Sequence, residues 1–266
     1  KRIVVALLWE ILQFVLRLSF GMSLAMMLTS SKVVTSGFFR VHLWVIMGLN
    51  VFGVLVIWTA AEEHVPTQHV SLLTLVIVNA IASYVGASIW IYEKARAGNI
   101  ALLVVTILTL TSAYLTTVFP ENRTTPEIIS VILEIVSSGA LLGAVMMSML
   151  LGHWYLNTPG MKLDPLYKLL AFCLWALAIR SVISATGTYF YVAAHEVPTS
   201  WWIFLSLRWI TGVAATLIMV ILARLTLRVP NTQSATGILY AATVVVLVGE
   251  LTAQLLSVSE NVLYPL

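Results

Sequence analysis

Leu151–Gly160 reads LGHWYLNTPG and closes an apolar run that begins at Ile128. A spanning helix needs about 20 predominantly apolar residues, and the run from Ile128 to Tyr155 exceeds that. Its end offers an imidazole (His153), an indole N–H (Trp154), a phenol (Tyr155) and an amide (Asn157) within a few residues. Pro159-Gly160 then breaks the helix and turns the chain. A long apolar run that ends in aromatic residues and a Pro-Gly turn reads as a membrane span with an interfacial belt.

The same pattern recurs on both sides. Upstream, apolar runs cover Ile3–Leu28, Phe38–Ala60, His69–Tyr92 and Ile100–Phe119; downstream, they cover Leu166–Val192, Trp201–Leu227 and Gly237–Val258. Short polar turns separate them: Glu62–Pro66, Glu93–Asn99 and Pro120–Pro126 in the first half. Turns this short make consecutive helices antiparallel neighbours. The expected fold is therefore all-α, a polytopic transmembrane bundle of eight spans. Composition agrees: of the 266 residues 60% are hydrophobic and 9% charged, with a mean hydropathy of +1.00. Soluble domains carry about 25% charged residues, so this chain cannot dress a water-facing surface. The first run is too long, and lacks the small-residue cleavage site, to be a signal peptide.

Two halves echo one another. Ala60–Thr67 (AAEEHVPT) ends the second span, and Ala193–Thr199 (AAHEVPT) ends the sixth. Gly21 corresponds to Gly143, Thr35-Ser36-Gly37 to Thr158-Pro159-Gly160, and Leu43-Trp44 to Leu174-Trp175. This order predicts two tandem four-helix units, residues 1–126 and 127–266, in parallel orientation because four spans return the chain to its starting side. The four-plus-four plan resembles the NrfD-type anchor of polysulfide-reductase-like complexes in helix number, without a shared sequence motif. That resemblance implies a membrane subunit that serves a redox complex.

Formal charge is +3 and scattered near the ends of the apolar runs, so it carries topology and gives no sign of nucleic acid binding. Lys32, Arg40, Lys94, Arg96, Lys162, Lys168, Arg224 and Arg228 fall on one side, and Lys1, Arg2 and Arg123 on the other. The majority side is expected to be cytoplasmic, in a bacterial inner (plasma) membrane. The single cysteine, Cys173, excludes an intrachain disulfide, a Cys-rich zinc site and an iron–sulfur cluster held by this chain. Walker, GxSxG and HExxH patterns are absent from the sequence, which argues against hydrolytic chemistry.

Three groups of residues could carry function. The first is the set of charges within apolar runs: Glu10, Arg17, Glu134, Arg180, Arg208 and Glu250. Each costs several kcal/mol by insertion scales, about 2.5–3.5 for a charge at a helix centre, so such residues pair or line a pathway. Glu10, Gln13 and Arg17 share one helical face. Arg180 and Arg208 are placed to neutralise Glu10 and Glu134, either as ion pairs that staple helices or as a proton route. The second group is an outer-face cluster of Glu62, Glu63, His64, His69, His195 and Glu196, which is either a quinone-linked proton acceptor or a solvated turn. No compact metal-ligand motif is present in it. The third group is interfacial: His153, Trp154, Tyr155 and Asn157, with Arg40 and His42 on the same side. A quinone headgroup stacked near Trp154 and bonded by His153 or Tyr155 is favoured there over a haem held by His42 and His153. The expected function is a membrane subunit of an electron-transfer complex that binds quinone and anchors redox partner subunits in the lipid bilayer. The alternatives are a secondary transporter built from the two repeats, whose helices would break at matching midplane positions, and a non-catalytic scaffold subunit.

Overall fold

A computed structural model describes residues 2–60, 66–117, 124–158, 160–229 and 231–259. Among them every regular element is helical: α1 (Arg2–Leu28), α2 (Ser36–Ala60), α3 (Pro66–Ile91), α4 (Ala95–Leu115), α5 (Thr125–Asn157), α6 (Asp164–Ala194), α7 (Thr199–Arg208), a π-helical segment (Trp209–Ala215), α8 (Thr216–Thr226) and α9 (Thr232–Ser259). The segments α7, π and α8 run on as one span, so eight helices of 21 to 31 residues are long and apolar enough to cross a membrane. Lipid explains this economy. Hydrocarbon offers no hydrogen-bond partner, and a helix satisfies its own backbone.

The chain divides into two compact units, Lys1–Phe119 and Pro120–Leu266. In the first, α1 packs on α2 and α4, and α3 packs on α2 and α4, which closes a ring of four helices. Its interior carries amides as well as hydrocarbon. Asn79 Nδ2 donates to Asn50 Oδ1 at 2.9 Å, and Asn50 Nδ2 donates to the Ile46 carbonyl at 2.8 Å, with both side chains fully buried. The shared face of α1 is tied to the end of α4. Trp9 Nε1 donates to the Thr116 carbonyl at 3.0 Å, Gln13 Nε2 donates to Thr117 Oγ1 at 3.4 Å, and Arg17 Nη2 donates to Gln13 Oε1 at 3.3 Å.

One turn differs from its sequence expectation. Glu93–Asn99 was expected to be loop throughout, but α4 already begins at Ala95, leaving Tyr92–Lys94 as the connection. Gly98 lies in the first turn of α4, and the Trp90 indole occupies the space where a Cβ would sit, so the position admits only glycine. Trp90 is itself held flat on Phe39, with ring centroids 4.3 Å apart and planes 13° apart. The reversal is made by Glu93 at φ +54°.

In the second unit, α9 packs on α5, α7, the π segment and α8, while α6 packs on α5 and meets the seventh span mainly through α8. The ring is therefore looser between α6 and α7. Pro165 sits in the first turn of α6, and Pro198 caps α7. Gly160, at φ +92°, makes the turn between α5 and α6. The outer faces of the helices are hydrocarbon, as lipid contact requires: Val182 is 67% exposed and Ile203 65%.

Candidate functional site

Each of the four spans of the second unit places one charge in its interior. These are Glu134 on α5, Arg180 on α6, Arg208 at the end of α7 and Glu250 on α9. None is more than 6% exposed, and both arginines are fully buried. Glu134, Arg208 and Glu250 stand at equal depth, nine residues from the helix ends on one side of the unit, which is about 14 Å at 1.5 Å per residue. All three thus lie within the apolar length of their spans, nearer one end than the other.

Arg180 holds Glu250 sideways. Its Nε lies 3.2 Å and 3.0 Å from the two carboxylate oxygens, and its Nη2 lies 3.0 Å from Oε2. Arg208 Nη2 approaches Oε1 of the same carboxylate at 3.8 Å, and Glu134 Oε1 lies 4.0 Å from Arg180 Nη2. Two cations and two anions therefore sum to zero inside low dielectric. That is the condition for keeping charges there, because a buried ion left alone costs several kcal/mol. Ser137, Ser138, Ser184, Thr216 and Gln254, all at least nine-tenths buried, add further polar groups to the interior of the unit.

The geometry that lets Arg208 reach this centre is the π segment. The inward-facing series of the span is Trp201, Leu205, Arg208, Gly212, Thr216, Val220, Ala223 and Leu227. It covers seven turns with about one residue more than 3.6 residues per turn would use. The wide turn absorbs that residue, so the faces before and after it stay aligned. Within it, Gly212 meets Gly249 backbone to backbone; a Cβ on Gly212 would lie 3.2 Å from the Gly249 Cα, and a Cβ on Gly249 would collide with the Gly212 main chain. Close approach of α9 at Gly249 is what brings Glu250 beside Arg208.

Next to the charges, on the lipid-facing side, a groove of about 430 Å³ opens between α6 and α7. Its walls include Thr188, Tyr189 and Val192 from α6, Trp202 from α7 and Trp209 from the π segment. Trp209 links groove and charges, because the Arg208 guanidinium carbon lies 5.1 Å from the centroid of its ring. Toward the helix ends the groove is backed by Tyr191, Trp201, Leu205 and Leu256, with Tyr191 stacked on Trp201 at 5.3 Å.

The remaining sequence candidates fall in both units. The Tyr155 hydroxyl donates to the Lys162 carbonyl at 2.6 Å and so closes the α5–α6 turn. His153 is exposed and shares a 3.2 Å hydrogen bond with Tyr240 Oη, while Trp154 is half-buried and Asn157 exposed. Arg40 and His42 belong to the first unit: Arg40 lies over Trp44 at 5.6 Å, and His42 Nδ1 bonds the Phe38 carbonyl at 2.6 Å. Glu10 and Arg17 also belong to the first unit, and the acid that Arg180 and Arg208 share is Glu250. His195 stacks on Tyr191 at 4.6 Å and Glu196 is exposed; Glu62, Glu63, His64 and the side chain of His69 lie outside the described residues. Among the described residues no group of three or more His, Cys, Asp or Glu converges as a metal site would require.

Spacing alone held signals that charge-picking passed over. Ser184 and Thr188 repeat Arg180 at four-residue intervals, and Gly212 and Gly249 sit close in sequence to Arg208 and Glu250. Compared with protein families, curated proteins and solved structures, the chain matches none.

Proposed function

We propose that the chain is the membrane subunit of a quinone-linked electron-transfer complex in a bacterial plasma membrane, with the second unit handling the protons of that chemistry. The observation that carries the reading is the neutral buried quartet Glu134–Arg180–Glu250–Arg208, one charge from each span. Oxidation of a quinol releases two protons and two electrons. Protonation of Glu250 would leave both guanidinium groups facing one another, so within the quartet Glu134, 4.0 Å from Arg180, is the acceptor this geometry favours. The electrons pass to haem or iron–sulfur carriers on partner subunits, since a single buried cysteine provides no cluster here.

The test is purification from native membranes under mild detergent, with analysis of what remains bound. A redox-cofactor-bearing subunit and isoprenoid quinone near one per complex are expected. A chain that purifies alone and free of quinone sinks the reading.

A transporter is the second reading, and the π segment favours it, since transport helices are interrupted at midplane. A repeat-built transporter also requires a break in the matching helix of the first unit. That helix is α3, which follows the Ala60–Thr67 echo, and it runs unbroken from Pro66 to Ile91. Substrate uptake by the chain alone in liposomes would decide for transport.

A further inference from the structure

The groove between α6 and α7 is joined to the charges by more than Trp209. Hydroxyls in membrane helices usually donate to the carbonyl one turn back, and on α6 Ser181 and Thr186 do so at 2.8 and 2.9 Å. Ser184 and Thr188 do not. Ser184 Oγ is fully buried and Thr188 Oγ1 is shielded, and neither has a hydrogen-bond partner among the described residues. Arg180 Nη1 is likewise without an acceptor. Arg180, Ser184 and Thr188 follow at four-residue intervals, so three unused donors run along one side of α6, from the charge quartet to the groove wall. A buried donor left unused costs about 1–3 kcal/mol, which makes such a row costly unless a ligand accepts from it.

We infer that this groove binds the headgroup of an isoprenoid quinone arriving sideways from the bilayer. Thr188 turns its Oγ1 from the shielded position toward the groove it lines and donates to a ring carbonyl, and Trp202 and Trp209 flank the ring plane. The requirements match. A quinone headgroup is flat, carries acceptors and no donors, and brings an apolar tail that lies along Tyr189 and Val192 toward lipid. A volume of about 430 Å³ is within the range of small-molecule sites. Ser184 continues the donor row from Thr188 to Arg180, on the way to Glu134. This inference rests on the quinone-linked reading and locates its site.

The experiment uses the full chain in lipid nanodiscs with a photoreactive short-chain benzoquinone, peptide mapping of the label, and competition by decylubiquinone or by added phosphatidylglycerol. Label is expected on peptides holding Thr188 and Trp202–Trp209, competed by decylubiquinone alone. Thr188→Val should weaken competition about fivefold, the loss of one hydrogen bond of about 1 kcal/mol, while Thr188→Ser should restore it. Thermal midpoints of both variants are measured in parallel, and a Thr188→Ser variant that folds but does not restore competition overturns the role of Thr188. Quinone-competed label elsewhere in the chain overturns the groove and leaves the function standing. Competition by phosphatidylglycerol makes the groove a lipid site and overturns the inference. No competed label anywhere overturns both.

Discussion

Glu250 lies within 3.8 Å of both arginines while Glu134 approaches Arg180 at 4.0 Å, and this difference in distance sets the expected effect of each substitution. Removing one partner of a buried ion pair costs about 3–5 kcal/mol because the other charge is left uncompensated. Glu250→Ala leaves Arg180 and Arg208 facing one another, so its thermal midpoint should fall steeply and further than that of Glu134→Ala. Equal effects would show that the four charges are not wired as the distances imply. The double replacement Arg208→Met with Glu250→Gln should recover part of the loss, since it leaves Arg180 opposite Glu134 and removes the second cation. How far the site could be read from sequence is clearest here. An arginine inside an apolar run announces a buried partner, but spacing cannot say which acid, and Glu250 lies 70 residues from Arg180 in the chain. Tyr155 shows the opposite limit: its chemistry invites a ligand, and the Lys162 carbonyl of the adjoining turn takes it.

At the level of the helix, the seventh span holds one residue too many for its length, and the π turn is where it is stored. Deleting Ile210, a lipid-facing member of that turn, should convert the span to continuous α-helix with both inward faces still aligned. Its thermal midpoint should stay near wild type while quinone competition is lost. Inserting an alanine between Leu217 and Ile218 instead turns Val220, Ala223 and Leu227 about 100° away from the core, and the protein should not accumulate. Circular dichroism melts and detergent-resistant yield measure both. Glycines separate in the same way. Gly249→Ala must push α9 off Gly212 and pull Glu250 from Arg208, whereas a Cβ on Gly237 meets nothing within 4 Å. Gly237→Ala should therefore stabilise by up to about 1 kcal/mol through helix propensity. The sequence signal for the bulge was present in the four-residue steps 208, 212, 216 and 220, but only with the inward face known do those steps stand out. Gly98 was misread for a related reason: it looks like a turn glycine until the Trp90 ring beside it is seen.

For the molecule as a whole, eight apolar runs were plain in the sequence because lipid imposes length and hydrophobicity on every span, whereas helix partners depend on contacts that no run encodes. The Lys and Arg asymmetry predicts an orientation that is open to direct measurement. Cys173 is buried and is the only cysteine, so single cysteines introduced elsewhere report cleanly. In intact cells a membrane-impermeant maleimide should label Glu196→Cys and spare Asn231→Cys; the reverse pattern would invert the topology. The quartet also has a consequence for how the protein is made. Its members leave the ribosome in the order Glu134, Arg180, Arg208, Glu250, and the last follows the first after more than a hundred residues, several seconds or more at about 5–20 residues per second. Until α9 arrives, the two guanidinium groups of the quartet have only Glu134 of its two carboxylates, so the quartet is electrically unbalanced within the bilayer. A chain stopped after α8 should consequently be held by the insertion machinery and degraded, whereas one that extends through α9 should accumulate.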